Sequence, residues 1–506
     1  MLRTALVAVA LAVAPALADD TQDRAARIAD KAVAYLRAQQ DPATGGWSIP
    51  KEGPTFPAIT GLVVAGMLDQ PGLTADDPAI ARALAFILSK RQPDGGIYDT
   101  VLPSYNTAIC VSALAKANTP QALAAVKPAV AFLRTLQFGE DATTDGKFAN
   151  ETRRIDISHP FYGGVGYGRS GRPDLSNLHF FLQGLADAGV PSDDPAVQRA
   201  LVFLSRVQML DGVNDQPYAT GSAQGGFIYA TGPNTAGAGQ GQSYGGEIAE
   251  SLSGPPGTLA RVTLRADNGK ELTLSKADVL GMIQTIAEVS RHEEVRRLPT
   301  EAQIYLGASA DGQKAHTFEI RTPIASAERL QDVLFAALAG EVTDRSAIRV
   351  EPVEHWQGVS RLRAYGSMTY AGFKSMVYAN LPPDDPRVRA AYGWIQRHYT
   401  LDENPNVGTD GLYYYFVTFA RALEAHRRTR PSPDSPRTIV TYPDGNEAGV
   451  TRDWAADLVA RLESLQNPDG SFKPVDDRWM ENNPVLITAY SLIAVQQVRG
   501  SAGARP

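Results

Sequence analysis

Cysteine is almost missing from this chain: Cys110 stands alone among 506 residues, so no intramolecular disulfide holds the fold together. It lies in an apolar run, where a thiol reads as a small buried hydrophobe and not as a nucleophile. A surplus of positive charge is also lacking. The formal net charge of -7 argues against nucleic acid or an anionic lipid surface as a partner. No later stretch approaches the roughly 20 apolar residues that a spanning helix needs, because polar or charged residues interrupt every apolar helix, so no transmembrane anchor is expected. Scattered histidines and one cysteine give no metal-ligand spacing, and neither a metal nor a cofactor is expected.

What is present starts with a leader. Met1-Leu2-Arg3 carries one positive charge, Ala5 to Ala14 is apolar, and Ala16-Leu17-Ala18 ends in an Ala-x-Ala pattern. Residues 1–18 read as a secretory signal peptide with no cysteine after it for lipid attachment, which predicts a periplasmic or extracellular protein.

A repeat organises the rest. An amphipathic helix with a large apolar centre, often ending in Gln, recurs six times: Lys31–Gln39, Arg82–Phe86, Ala129–Gln137, Arg199–Gln208, Arg389–Gln396 and Leu458–Gln466. Each has a charged face, as a helix on the outside of an assembly does. After each comes a helix apolar on most sides, beginning near Pro57, Tyr105, Ser176, Tyr365, Gly411 and Pro484. Outer and buried helices in alternation predict two concentric rings. An open stack would need polar capping repeats, yet the first and last copies are as complete as the others, so the rings are expected to close.

One connection is far longer than the rest. Residues 258 to 354 read as a small α/β unit, with strands Arg261–Leu264 and Glu271–Leu274 about an Asn268-Gly269 turn, a helix Ala277–Glu294, a hairpin of Gln303–Leu306 with Thr317–Arg321, a helix Ala327–Leu338 and a strand Ala347–Val350. Gly232 to Gly257 reads as its lead-in, and Arg437–Tyr442 opens a second hairpin around Pro443-Asp444-Gly445. The expected organisation is a leader at 1–18, helix pairs 1–3 and outer helix 4 at 19–250, the insertion at 251–358, and inner helix 4 with pairs 5–6 at 359–506.

The segment most suggestive of a site is Gly163-Gly164-Val165-Gly166-Tyr167-Gly168 with Arg172-Pro173-Asp174-Leu175-Ser176-Asn177 and the apolar run after it. Glycines permit a tight path, and Pro173, Asp174 and Ser176 can open a helix buried on every side. Its polar first turn needs partners inside the fold. It reads as the mouth of a central pocket.

With Gln39 matched to Trp47 and Gln466 to Phe472, the repeats resemble the Gln-Trp repeats of the squalene–hopene cyclase and prenyltransferase superfamily. Tyr365–Gly372 and His398–Pro405 look most like its secreted bacterial prenyltransferase/squalene-oxidase-repeat proteins. The resemblance implies an all-α (α/α)6 toroid of six helix pairs, here with a small α/β insertion, and an axial pocket for an apolar isoprenoid-type ligand. In the cyclases an Asp-x-Asp-Asp motif supplies the acid; in Asp174-Leu175-Ser176-Asn177 only the first position matches, and a serine hydroxyl is far too weak to protonate an alkene. Proton-initiated cyclisation is therefore not expected. The zinc prenyltransferases bind metal through Asp, Cys and His, and Ala108-Ile109-Cys110 lacks the paired Asp; the thioester motif of complement-like toroids is absent.

The candidate catalytic residues are Asp174, Arg172, His159 and Glu481, and the candidate ligand contacts Tyr162, Tyr167, Asn177, Tyr365, Tyr370, Tyr413 and Tyr414, with Tyr244 and Glu247 on the same rim. Each has a plainer reading. Asp174 and Arg172 can cap a helix and pair with one another, Glu481 can favour a helix dipole, and the tyrosines can be core. Three functions stay open: a terpenoid-cyclase-like isoprenoid binder, an extracellular polysaccharide lyase or glycoside hydrolase using Arg172 with His159 or Tyr167, or Asp174 with Glu481, and a scaffold whose insertion meets a protein partner.

Overall fold

Prolines and short polar residues start most of the helices. Proline at the first helical position loses no hydrogen bond, and an Asp, Thr or Asn before it accepts from the free amides. Asp77, Thr119, Asp385 and Asn483 do this for helices that open on Pro78, Pro120, Pro386 and Pro484. The computed structural model describes residues 5–140, 154–168, 172–216, 219, 222–231, 257–265, 272–298, 303–305, 314–324, 326–338, 342–356, 363–429, 437–443 and 448–500, with side chains from Asp20 onward. Tyr244, Glu247 and nearly all of the lead-in Gly232 to Gly257 lie outside this description, as do the side chains at the expected leader cleavage site.

The protein is mostly helical with small sheets, and it divides into two compact units. The first comprises residues 1–207, 366–405 and 409–506, the second 208–365 and 406–408. Residues 251–358, read above as the insertion, fall within the second unit.

In the first unit the amphipathic helices are α1 (Ala5–Ala38), α3 (Pro78–Ser89), α5 (Pro120–Thr135), α7 (Pro195–Val207), α11 (Pro386–Arg397) and α13 (Trp454–Leu465). The buried ones are α2 (Pro57–Leu68), α4 (Pro103–Ala117), α6 (Leu175–Asp187), α10 (Gly366–Tyr378), α12 (Leu412–Arg428) and α14 (Pro484–Arg499). In α2 every residue from Pro57 to Met67 is buried. Such a helix has no solvent face, and each large apolar side chain taken from water contributes about 1.5–3 kcal/mol. The buried helices pack in a cycle: α2 on α4, α4 on α6, α6 on α10, α10 on α12, α12 on α14, and α14 back on α2.

The outer helices are tied by a device that the sequence repeats. After each of four of them a glycine with positive φ lays its backbone on the next: a Cβ on Gly45, Gly95, Gly163 or Gly470 would stand 2.9, 2.6, 1.8 or 2.2 Å from the carbonyl oxygen of Arg82, Pro128, Arg199 or Lys31. The repeat glutamines join the same seams. Gln137 Nε2 donates to Gly163 O and Ala196 O, and Gln466 Nε2 to Ile28 O at 3.0 Å, which joins the last outer helix to the first. In the first repeat it is Gln40, not Gln39, that does this, donating to Gly45 O and Ala79 O, while Trp47 Nε1 donates to Leu36 O.

In the second unit β1 (Gly257–Leu264) is central in an antiparallel sheet of order β3-β5-β1-β6, with β3 at Gln303–Tyr305, β5 at Thr317–Thr322 and β6 at Ile348–Trp356. Helices α8 (Lys276–Val289) and α9 (Ala327–Ala337) cover it, and Val262, Leu264, Ile283, Phe318, Ile320 and Leu334 share its core. The pairing of Gln303–Tyr305 with Glu319–Arg321 agrees with the expected hairpin. Among the described residues Arg261–Thr263 pair with β5 on one side and β6 on the other, and from the expected partner strand the Leu272 amide donates to Leu264 O; β2 (Leu274–Ser275) pairs with β4 (Lys314–Ala315). The hairpin after the Pro-rich stretch belongs to the first unit, with β7 (Thr438–Thr441) paired to β8 (Val450–Asp453).

Candidate functional site

The Gly163 turn delivers the chain to Asp174, whose amide donates to Val165 O and whose carboxylate opens α6. Oδ1 accepts from the Asn177 amide at 2.9 Å and from Ser176 Oγ at 3.0 Å, and Oδ2 accepts from Asn177 Nδ2 at 2.7 Å. The Tyr105 hydroxyl of α4 continues the chain by donating to Ser176 Oγ at 2.8 Å. Asp174 is buried, and the Ser176 and Asn177 groups on it are donors, the surroundings of a helix cap. Arg172 lies half-buried just before it.

Around this polar start runs a chain of aromatic rings contributed by four inner helices. Tyr105 stacks on Tyr167 at 5.7 Å and meets Phe180 at 5.0 Å; Phe180 faces Tyr414 at 6.1 Å, and Tyr414 faces Tyr490 at 6.1 Å. His179 lies beside Phe180, and its Nδ1 is 3.3 Å from the Tyr414 hydroxyl. Burial holds the His179 imidazole well below its ordinary range, with Lys374 and Arg421 acting in the same direction. The same desolvation raises the Tyr105 phenol far above its usual value.

Glu481 stands across from these rings, just before α14, and it caps α12. Its Oε2 accepts from the Tyr413 amide at 3.0 Å and its Oε1 from the Tyr414 amide at 2.8 Å. Burial pushes its carboxyl up to about 7, against the two amides that favour the anion.

Tyr167, Asn177, Asp174 and Tyr414 are therefore brought together, with Glu481 beside Tyr414. Tyr413 turns away, its hydroxyl donating to Lys473 O at 2.5 Å. Tyr370 packs between Tyr415 and Phe419. His159 is exposed and lines a surface cleft of about 590 Å³ with Glu140 and Asp156, where Tyr162 donates to Glu140 at 3.0 Å. Tyr365 belongs to the second unit, its amide donating to Phe227 O.

Further residues escaped sequence reasoning. Lys374 of α10 is fully buried, with Nζ 2.6 Å from Gln183 Oε1 and 5.0 Å from the centre of the Tyr378 ring. Gln183 Nε2 in turn reaches both oxygens of Asp187 at 2.9 Å. Burial depresses the Lys374 amine well below its ordinary range. The available signal was a lysine inside an otherwise apolar inner helix. Among the described residues no group of acidic, histidine or cysteine side chains could hold a metal ion, and no helix is long and apolar enough to cross a membrane.

No family model and no curated relative matches the chain. Among solved structures it is similar to the type II terpene cyclase MstE from Scytonema in the apo form, at 13% identity and a TM-score of 0.28 over 94% of this chain and 98% of that one. A variant of that cyclase in complex with geranylgeranyl dihydroxybenzoate gives 12% identity and 0.28 over 88% and 99%. A protein from Actinoplanes gives 14% identity and 0.28 over 94% and 99%.

Proposed function

We propose that the first unit is an (α/α)6 toroid of the terpenoid-cyclase type, exported by a cleaved leader, that binds an apolar isoprenoid-type ligand inside its inner ring. The observation that carries the reading is the run of facing rings Tyr105, Phe180, Tyr414 and Tyr490 from four different inner helices. Aromatic faces give a large apolar contact at fixed positions and tolerate varied hydrocarbon shapes.

The reading is of binding without proton-initiated cyclisation. Asp174 is engaged by three donors as a cap, and its partners Ser176 and Asn177 carry no second carboxyl. Glu481, the other carboxylate of a hydrolase pair, is bound through both oxygens to the start of α12. Both arrangements favour structural parts for these acids and weigh against a polysaccharide hydrolase.

The test is mass spectrometry of an organic extract of the protein purified from its native envelope, set against a mock purification. A stoichiometric hydrocarbon or terpenoid is expected. An empty extract from folded protein would overturn the reading.

A further inference from the structure

The connection from α12 to α13 carries an addition to the helix-pair repeat, the β7–β8 hairpin. Gln396, near the end of α11, holds it from one side: Nε2 donates to Val440 O at 2.9 Å, and the Gln396 carbonyl accepts from the Tyr442 amide at 3.0 Å. Where β8 runs into α13, the Trp454 amide donates to Arg437 O. The hairpin, α13 and the turn Tyr399–Asp402 wall a cleft of about 480 Å³, a size that suits a small molecule.

Asp457, Arg461 and Ser464 line it from one face of α13, four and then three positions apart. Asp457 orients a second arginine. Arg452 of β8 donates from Nε and Nη2 to its two oxygens, each at 2.9 Å, and the Tyr399 hydroxyl donates to Oδ2 at 2.8 Å. The Arg452 guanidinium also lies 5.9 Å from the centre of the Tyr399 ring. Arg461 is anchored through Nε, 3.1 Å from Leu401 O. None of these bonds uses Nη1, so two oriented guanidiniums line one cleft with donors to spare. Lys473 Nζ, 3.4 Å from Ser464 O, brings a third cation to its border in a chain whose net charge is -7.

The rest of the lining is more than an anion needs. Asp402 is exposed and offers a carboxylate, an acceptor for hydroxyl groups. Pro443 and Val450, both exposed, give an apolar wall.

We infer that this cleft binds an acidic sugar, a pyranose that carries a carboxylate. The carboxylate lies between Arg452 and Arg461, the hydroxyls face Asp402, and a C–H face of the ring lies on Pro443 and Val450. An arginine fork matches a carboxylate through paired, charge-assisted bonds. The site is separate from the ring of facing tyrosines and stands whether or not that ring holds a ligand.

The experiment measures equilibrium binding of glucuronate, glucose, acetate and inorganic phosphate to the whole chain by calorimetry. The wild type should hold glucuronate about ten-fold or more tighter than each of the other three. Arg461→Gln and Arg452→Gln should each reduce the preference over glucose, and Arg461→Lys should keep part of it. Acetate or phosphate held as tightly as glucuronate by the wild type would overturn the sugar assignment, and glucose held as tightly would overturn the role of the arginines. These results need no variant. Failure of glucuronate to bind, or an undiminished preference in folded Arg461→Gln, would also overturn the proposal.

Discussion

The carboxylate of Glu481 and the amide of Tyr413 lie 3.0 Å apart across 68 positions of sequence, so the segment before one inner helix caps the start of the previous one. Burial raises this carboxyl from its ordinary range to about 7. A folded-state value above the unfolded one means that the folded protein holds the proton more tightly, so stability is lost as pH rises from about 4.5 through about 7. The loss is on the order of 3 kcal/mol. Thermal melts should show the wild type falling across that window relative to Glu481→Gln, whose side chain does not titrate; parallel curves would exclude this origin.

Lys374 has the opposite sign. Its folded-state value is depressed, so the unfolded chain binds the proton better and the cost is fully present at low pH. As pH rises towards the ordinary lysine range that cost disappears. The wild type should therefore gain on Lys374→Met between neutral pH and about pH 10, as read by the difference in their melting temperatures, and a constant difference would contradict the burial of a titrating amine.

Two glycines with similar φ separate backbone strain from packing. Gly72 has φ +82 and open space around it, whereas Gly470 has φ +91 and sits against Lys31 O. Gly72→Ala should cost about 1 kcal/mol, the usual left-handed penalty. Gly470→Ala should cost several times more, about 3 kcal/mol or above, because the seam between α13 and α1 must open. Denaturant titration of both variants checks the ratio.

Asp174 is tested by comparing two substitutions. In Asp174→Asn the amide oxygen can still accept from the Asn177 backbone, and a rotated Asn177 side chain can present its Oδ1, which has no partner now. Asp174→Ala leaves the helix start and the Ser176 and Asn177 donors unsatisfied. Urea unfolding should show a loss of about 1–3 kcal/mol for alanine and under about 1 kcal/mol for asparagine.

The outer and inner helices were legible because their apolar patterns are local. Lys31–Gln39 shows one apolar stripe and Ile59–Met67 shows none, and the structure has an outer and a buried helix there. The register of the repeat glutamine was not, since Gln39 and Gln40 are adjacent and only the turn around Gly45 selects the second. Strand partners in the second unit depended on distant segments: β5 and β6, which flank β1, lie more than 50 positions further along the chain, where a local turn signal does not reach. Asp174 announced its cap through Pro173 and Ser176. The pair formed by Lys374 and Gln183 was hidden for a geometric reason: each is a polar residue in a largely apolar helix, and only the packing of α10 on α6 places them together.

The bond from Gln466 to Ile28 spans 438 positions. A chain folding in order of synthesis must keep the apolar flank of α1, with Ile28, Ala29 and Leu36, waiting until α13 and α14 arrive. Contacts of that separation are slow to form, since the closure entropy must be met before any of their gain is realised. The unsealed ring is the state most exposed to misassembly. A circular permutant opened between α6 and α7 would turn that last contact into a local one and move the late step to the opposite side of the molecule.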